Sequence, residues 1–488
     1  MAQRGVSRPM SHGDDGEKEG GSKMSRSERR EMLQMHHRKT QWCYWLVVLL
    51  GLWTMSAPVT FGYWMEPAPL GRDIWLSGQA RVDLMIASEV LSGLLLVVFG
   101  WRSLKPGRPI SQWICCLVGI WLSAAPLLLW APSAAAYLNS TLVGALVIGL
   151  TILIPGMPNM IMYMKMGGEL PKGWSYNPSS WPQRGIMIAL AFLGWLVSRY
   201  LAAYQLGYIG HAFDPFFGES TDRVLSSNMS HMWPVSDGGL GAFSYTFEFL
   251  MGWMGAPTRW RTMPWMVTFF GILVIPLGLV HIFLVISQPV VVGAWCTMCL
   301  LAAAIMLPMI PLEVDEVIAM AQHVKRRVKA GEPFWRVFWK GGSGEEAEED
   351  ERMPAIEKAH DHPLEVLTAS VWGMSWSWWL IACTAIGIWL VCAPDVLGFS
   401  RTIAADIHHL GGALIVTTSV ISMGEPVRLG RFLNVLLGLI VAVGPWLFGG
   451  TDPFISVGAT VAGLAVIVLS IPRGPIRESF GPWDRFVR

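Results

Sequence analysis

The sequence predicts an all-α polytopic membrane protein of about twelve transmembrane helices, arranged 4+4+4 with a central four-helix bundle. Three observations carry this. Hydrophobic residues make up 53% of the 488 positions and charged residues only 15%, at a mean hydropathy of +0.44, whereas a soluble chain carries about a quarter of its residues as charges. Twelve apolar runs are long enough to cross roughly 30 Å of hydrocarbon. Lys and Arg concentrate in alternate segments between those runs, the asymmetry that sets membrane orientation. A net charge of +1 gives no basic surface for nucleic acid, and many of the 26 Trp sit at the ends of apolar runs, where an amphipathic ring favours the bilayer interface. Membrane lipid is the first expected partner.

Residues 1–42 are polar and mixed in charge, with no apolar core, and read as a disordered cytosolic tail rather than a signal peptide. The expected spans then follow at 43–63, 83–100, 112–131, 135–156, 186–206, 239–254, 264–286, 289–311, 373–393, 404–422, 430–449 and 454–472, the sixth being short. Arg4 through Lys39 precede the first span. Arg102/Lys105/Arg108, Lys165/Lys172/Arg184, Arg259/Arg261, a run from Lys325 to Lys358, Arg428/Arg431 and Arg473 through Arg488 fall on the same side. The opposite loops hold only Arg72, Arg81, Arg223 and Arg401. Both termini are therefore expected in the cytosol, and the protein in the plasma (inner) membrane.

An internal repeat divides the chain. Gly51-Leu-Trp-Thr-Met-Ser-Ala-Pro58, Gly119-Ile-Trp-Leu-Ser-Ala-Ala-Pro126, Gly387-Ile-Trp-Leu-Val-Cys-Ala-Pro394 and Gly438-Leu-Ile-Val-Ala-Val-Gly-Pro445 share one pattern, with a partner glycine in the next run at Gly93, Gly144, Gly412 and Gly463. Each unit reads as a helical hairpin in which Pro stops the first helix near the outer surface and the later Gly permits close helix packing. These units resemble the SPW-repeat family of bacterial membrane proteins, which implies architecture rather than chemistry. Repeat hairpins are thus expected at 43–156 and 372–472. A cytosolic linker lies at 157–184, a middle block at 185–312, a charged cytosolic linker at 313–371 and a cytosolic tail at 473–488. Within the second linker, Gly341–Glu351 reads as a flexible acidic stretch, and Leu312–Ala330 as either an amphipathic surface helix or a solvated linker helix.

The chemistry concentrates in the middle block. Cys296-Thr-Met-Cys299 is a CxxC pair in an uncharged run from Gln288 to Pro308. Two thiols at this spacing can close a disulfide and exchange electrons with a partner, and in lipid they can meet a lipid-soluble carrier. A regular helix holds the Cβ atoms of residues i and i+3 about 5–6 Å apart, wider than a relaxed disulfide. The pair therefore needs a local distortion or a place near the helix start. Inert packing is the competing reading, since Cys43, Cys115, Cys116, Cys383 and Cys392 serve as apolar filler.

Four spans, a long outer loop after the first and a CxxC in the fourth resemble the vitamin K epoxide reductase family. Val224-Leu225-Ser226-Ser227 looks like that family's loop motif, and Gly241-Ala-Phe-Ser-Tyr245 like the Gly-x-x-x-Tyr that opens its second helix. The resemblance implies a four-helix bundle holding a quinone (menaquinone, ubiquinone or vitamin K type) beside the CxxC. Cys299 would face the quinone and Cys296 a thioredoxin-like or dithiol protein on the extracytoplasmic side, both in the outer third of the eighth span. Asp237, Tyr245 and Ser227 would contact the quinone. The implied activity is that of a quinone-dependent thiol-disulfide oxidoreductase supporting disulfide formation.

The chain also departs from that family's pattern. Gln205–Gly238 contains no cysteine, and Thr221 stands where a relay thiol belongs. Asp237 replaces an Asn, and Ala303 stands where some members have a Tyr. Either a partner reaches Cys296 directly, or the chain is a non-catalytic membrane scaffold or small-molecule carrier built on the same bundle. Among other intramembrane polar groups, which are costly unless satisfied or functional, Arg199 and Glu248 are expected either to pair or, for Arg199, to snorkel outward to the surface. Asp214, Glu219, Asp222 and Asp237 read as a solvated acidic loop, and Asp406-Ile-His408-His409 as interfacial polar residues. No metal site and no nucleotide fingerprint is expected.

Overall fold

The computed structural model describes residues 26–65, 74–156, 161, 168–342, 348, 350–354, 362–399, 402–448 and 452–487. The expected disorder of residues 1–25 and of most of Gly341–Glu351 lies outside these. The described residues are helical, with two isolated β-bridges, Trp174 to Phe480 and Met374 to Gly424. Among the described residues, eleven helices are long and apolar enough to cross a bilayer. They are α1 (Arg26–Thr60), α2 (Gly78–Ser103), α3 (Pro109–Leu128), α4 (Ala134–Leu153), α5 (Trp181–Gln205), α7 (Pro264–Val292), α8 (Thr297–Lys329), α9 (Trp378–Val396), α10 (Ile403–Ile421), α11 (Glu425–Leu447) and α12 (Pro453–Ser470). The short sixth run forms α6 (Asp237–Trp253), whose 17 residues are at the lower limit for a span.

The repeat glycines meet in pairs. A Cβ on Gly51 would lie 2.8 Å from the carbonyl oxygen of Gly93, one on Gly119 2.9 Å from that of Gly144, one on Gly387 2.8 Å from that of Gly412, and one on Gly438 2.7 Å from that of Gly463. Each hairpin therefore packs backbone on backbone, which only glycine allows. Pro58, Pro126, Pro394 and Pro445 each lie two residues before the end of their helix. Gly412→Leu is expected to force α9 and α10 apart and to cost about 1–3 kcal/mol or more. Gly458→Leu, with no neighbour within 4 Å, should leave stability unchanged. Thermal unfolding of both variants in detergent checks the difference.

The central helices pack as α5 on α6 with α8 crossing α5 and α7. The first repeat pair adjoins this bundle through α3 on α6 and the second through α10 on α8. Three sequence expectations need correction. Residues 26–42 are not tail, because α1 starts at Arg26. The break between the seventh and eighth spans falls at Gly293–Cys296, not near residue 288. Pro289 has no N–H, and the chain runs on as a π-helical turn over Gln288–Val292 until Gly293 (φ 67°) ends it.

Third, Leu312–Ala330 is neither a surface-lying nor a solvated helix. It continues α8 without interruption, with Glu313, Asp315, Glu316, Ile318, Ala319, Met320, His323 and Val324 buried. Two of its acids, Asp315 and Glu316, are buried because partners await them. Arg259 grips Glu316 with two hydrogen bonds, Nε to Oε1 at 2.6 Å and Nη2 to Oε2 at 2.5 Å. The Tyr176 hydroxyl donates to Asp315 at 2.6 Å, and Gln183 to the same carboxylate at 3.1 Å. Arg184 donates to the carbonyls of Gly252, Met254 and Gly255 at 2.8, 3.1 and 2.8 Å, satisfying the acceptors left open where α6 ends. The last segment is docked on this same end of the bundle. Phe480 is fully buried against Trp174, Glu425 accepts the amides of Arg477 and Glu478, and Arg352 pairs with Glu478 at 2.9 Å.

Candidate functional site

Cys296 is the residue that caps α8. Its backbone is extended (φ −120°, ψ 113°), and its Cα lies 5.2 Å from that of Cys299, to which it is disulfide-bonded. Leaving the helical conformation at this one residue removes the spacing problem of an i, i+3 pair. The Cys296 sulfur accepts the amide of Cys299 at 3.1 Å, a capping contact at the helix start. The Cys296 amide donates to Gln288 Oε1 at 3.1 Å.

The two cysteines face different surroundings. Cys299 lines a cavity of about 220 Å³ walled by α5, α6, α7, α8 and the α5–α6 loop. Its apolar walls include Leu201, Leu225, Leu277, Leu284 and Val285, and its polar groups include Ser227, Asp237, Tyr245, Glu248, His281 and Gln288. The structure thus brings Ser227, Asp237, Tyr245 and Cys299 to one space. Tyr245 lies over Gly194, where a Cβ would come within 2.4 Å of the ring, and its hydroxyl points to the Ala302 carbonyl at 3.4 Å. Asp237 accepts the Gly238 amide at 2.8 Å and a hydrogen bond from Gln205. Ser227 donates to the Val224 carbonyl at 2.7 Å. Ala303 does not line this cavity; it faces an apolar groove between α8 and α9/α10, together with Trp295, Cys392 and His409.

Cys296 is fully buried under the α5–α6 loop, packed with Ala212, Val224 and Leu225. One carboxylate ties that loop to the helix start. Asp214 accepts the Thr221 hydroxyl at 2.5 Å, the Thr297 hydroxyl at 2.5 Å and the Thr297 amide at 3.1 Å, besides the amides of Phe216 and Phe217. The loop is therefore not simply a solvated acidic stretch: Asp214 is buried, and Thr221 is held as a structural hydroxyl. Burial pushes the Asp214 carboxyl up, but the hydrogen bonds from Thr221, Thr297 and the two backbone amides outweigh it and hold the group below the usual carboxylate range. A depressed folded pKa contributes stability above the unfolded value and loses it as pH falls through the folded one. Hydrogen bonds to a charged group are worth about 1.5–3 kcal/mol each, so Asp214→Asn should expose the reduced cysteines to a maleimide about tenfold faster. Labelling rates of wild type and variant compared at one neutral pH check this, since maleimide reacts with the thiolate and slows on acidification whatever the clasp does.

One further expectation fails. Arg199 does not pair with Glu248; it donates to Thr141 at 3.1 Å and lies over the rings of Trp195 and Tyr137 at 4.7 and 5.1 Å, because the first repeat block packs where solvent or Glu248 was expected. Glu248 is buried, and both its carboxyl oxygens are without a hydrogen-bond partner. His408 and His409, near the start of α10, are buried against other helices. His408 bonds the Ala404 carbonyl at 2.7 Å and His409 packs on Trp295. Trp295, the residue before Cys296, also donates to Asp395 at 3.0 Å, so the second repeat block braces the CxxC. Among the described residues no cluster of His, Cys, Asp and Glu could hold a metal ion.

Sequence reasoning passed over Gln288, Gln205 and His281. Gln288 was legible as the one amide in an apolar run, a residue costly in hydrocarbon without a role. Gln205 was not, since its part in fixing Ser236, Asp237 and Gly238 depends on how the loop returns.

Residues 185–314 match the family model of the vitamin K epoxide reductase family, and residues 41–153 and 375–472 match that of the SPW repeat domain. No curated protein and no solved structure matches the chain. The chain therefore carries a vitamin K epoxide reductase domain between two SPW repeat segments, and that domain supports a membrane redox function.

Proposed function

We propose that this multi-pass membrane protein, through its vitamin K epoxide reductase domain, is a thiol:quinone oxidoreductase that oxidises an extracytoplasmic dithiol protein and reduces a membrane quinone. The observation that carries the reading is the two-sided CxxC: Cys299 opens on an apolar cavity shared with Tyr245, Asp237 and Ser227, while Cys296 faces the loop. A thiolate of the partner attacks the Cys296 sulfur and the Cys299 sulfur leaves as thiolate. The amides at the start of α8 favour negative charge there. The partner's second thiol then breaks the mixed disulfide and leaves Cys296 and Cys299 reduced. A quinone bound in the cavity accepts the pair's two electrons and takes up two protons, and the disulfide closes again. Tyr245 and Ser227 can orient the ring through their hydroxyls, and the leucine and valine walls exclude water.

Without a loop cysteine, the partner must reach Cys296 itself, which requires the Asp214 clamp to open. On the charge asymmetry of the loops, the CxxC end faces the extracytoplasmic side and both termini the cytosol, in the plasma membrane. Menaquinone, ubiquinone or a vitamin K type quinone suits the cavity. The loop seal over Cys296 favours a second reading, a carrier or scaffold that keeps the bundle without turnover. The in-cell redox state of the Cys296/Cys299 pair separates the two. Cycling shows as accumulation of the reduced pair when quinone is depleted; a pair indifferent to quinone supply and never trapped with a partner would make the scaffold reading correct.

A further inference from the structure

Glu248 is the group in the cavity that the redox reading does not use. It lies on α6, eleven residues beyond Asp237, so roughly 16 Å along the helix from the CxxC end. It is 1% exposed, lines the cavity with Cys299, and has no hydrogen-bond partner on either oxygen. Arg199, the cation expected from the sequence to neutralise it, is engaged elsewhere. A carboxyl kept for packing alone would be expected to hold a donor, because an unsatisfied polar group in an apolar setting is costly. The other ionisable groups around the cavity are Asp237 at its CxxC end, Tyr245 one turn away on α6, and His281 on α7.

A second buried carboxyl leads away from the cavity. Glu313 on α8 has an unpartnered Oε1 and interacts electrostatically with Glu248, Glu316, Asp315 and Arg259. Counted from Cys296, Glu313 is seventeen residues along α8, about 25 Å from the CxxC end. The two carboxyls therefore sit at successive depths, with Glu313 next to the polar layer of Arg259, Glu316 and Asp315.

We propose that Glu248 and Glu313 form a proton uptake path from the end of the bundle opposite the CxxC to the quinone cavity. This rests on the redox reading above and assigns the source of its protons. Each turnover oxidises one dithiol to a disulfide, releases its two protons on the CxxC side, and passes two electrons through Cys296 and Cys299 to the quinone. Glu248 gives protons to the reduced quinone oxygens and is reprotonated by way of Glu313, so two protons disappear from the opposite side for each quinol formed. The reaction then moves charge across the membrane as well as making disulfides.

The test uses the full chain in liposomes with ubiquinone-1, reduced glutathione added outside as an impermeant donor, and a pH dye trapped in the lumen. Only molecules with the CxxC outward are driven. In the wild type the lumen is expected to become alkaline in step with quinol. Glu248→Gln should slow quinol formation at least tenfold and abolish the alkalinisation, Glu248→Asp should restore part of both, and Glu313→Gln should diminish lumenal uptake. Glutathione should still reduce the Cys296–Cys299 disulfide in every variant, which shows that the fold and the thiol step survive. Quinol formation without lumenal alkalinisation, or a Glu248→Gln protein with wild-type rate and alkalinisation, overturns the path and leaves the redox reading standing. A wild type that forms no quinol removes the redox reading and the path with it.

Discussion

Cys299→Ala abolishes quinol formation, by a factor of at least about 10³, the scale on which loss of a covalent participant acts. The variant keeps Cys296 as a free thiol, which can join a partner thiol only when an oxidant takes the two electrons, and no second sulfur is present to close a disulfide or meet the cavity. Cys296→Ala produces a different defect: Cys299 still lines the cavity but has no partner through which to receive electrons. A useful signature follows from this asymmetry. In Cys299→Ala the thiol partner should accumulate as a mixed disulfide with Cys296 when oxidant is supplied, whereas Cys296→Ala should capture far less, because Cys299 lies on the cavity side. Quinol absorbance and non-reducing gels read the two effects. Unchanged quinone reduction in Cys299→Ala would sink the assignment of the active site.

The largest stability loss is expected at Arg259. Its guanidinium and the Glu316 carboxylate are 1% and 2% exposed, and it also donates to the Met251 carbonyl at 2.9 Å. Arg259→Met leaves Glu316 as an uncompensated buried charge and should cost about 3–5 kcal/mol. The double variant with Glu316→Met should regain much of that loss, because replacing both members of a buried pair by apolar groups is often close to neutral. Detergent-solubilised protein followed by thermal unfolding tests the pattern. A single variant within about 1 kcal/mol of wild type would mean that the pair is not the organising contact of the layer.

Several features were readable because they obey local rules. Pro58, Pro126, Pro394 and Pro445 mark helix ends through a missing N–H, and the paired glycines mark backbone contact through a missing side chain. The gathering of Ser227, Asp237, Tyr245 and Cys299 came from motif resemblance, and the cavity gives them a common address. The misread charges have one physical source. Hydropathy treats a charge as a sign of water, so Glu313, Asp315 and Glu316 looked like the start of a solvated linker. Asp315 and Glu316 are buried because a distant chain segment supplies a partner, Tyr176 before α5 and Arg259 beyond α6, and Glu313 is carried inside with them by the same helix. Arg199 was misassigned for the same reason, since Thr141 comes from a different repeat block.

By itself, the amino-acid sequence determined that this chain crosses a membrane repeatedly, that hairpins of one pattern flank a middle block, and that the block carries a CxxC. These follow from composition, period and the special geometry of Gly and Pro, which act over a few residues. Only the tertiary structure decided that Cys296 caps a helix while Cys299 lines a cavity, that Asp214 seals the thiol side, and that Glu248 has no partner. Those depend on which surfaces meet across tens or hundreds of residues. In a low-dielectric interior, the position of a few polar partners decides whether a buried carboxyl is a brace, a clasp or a proton carrier.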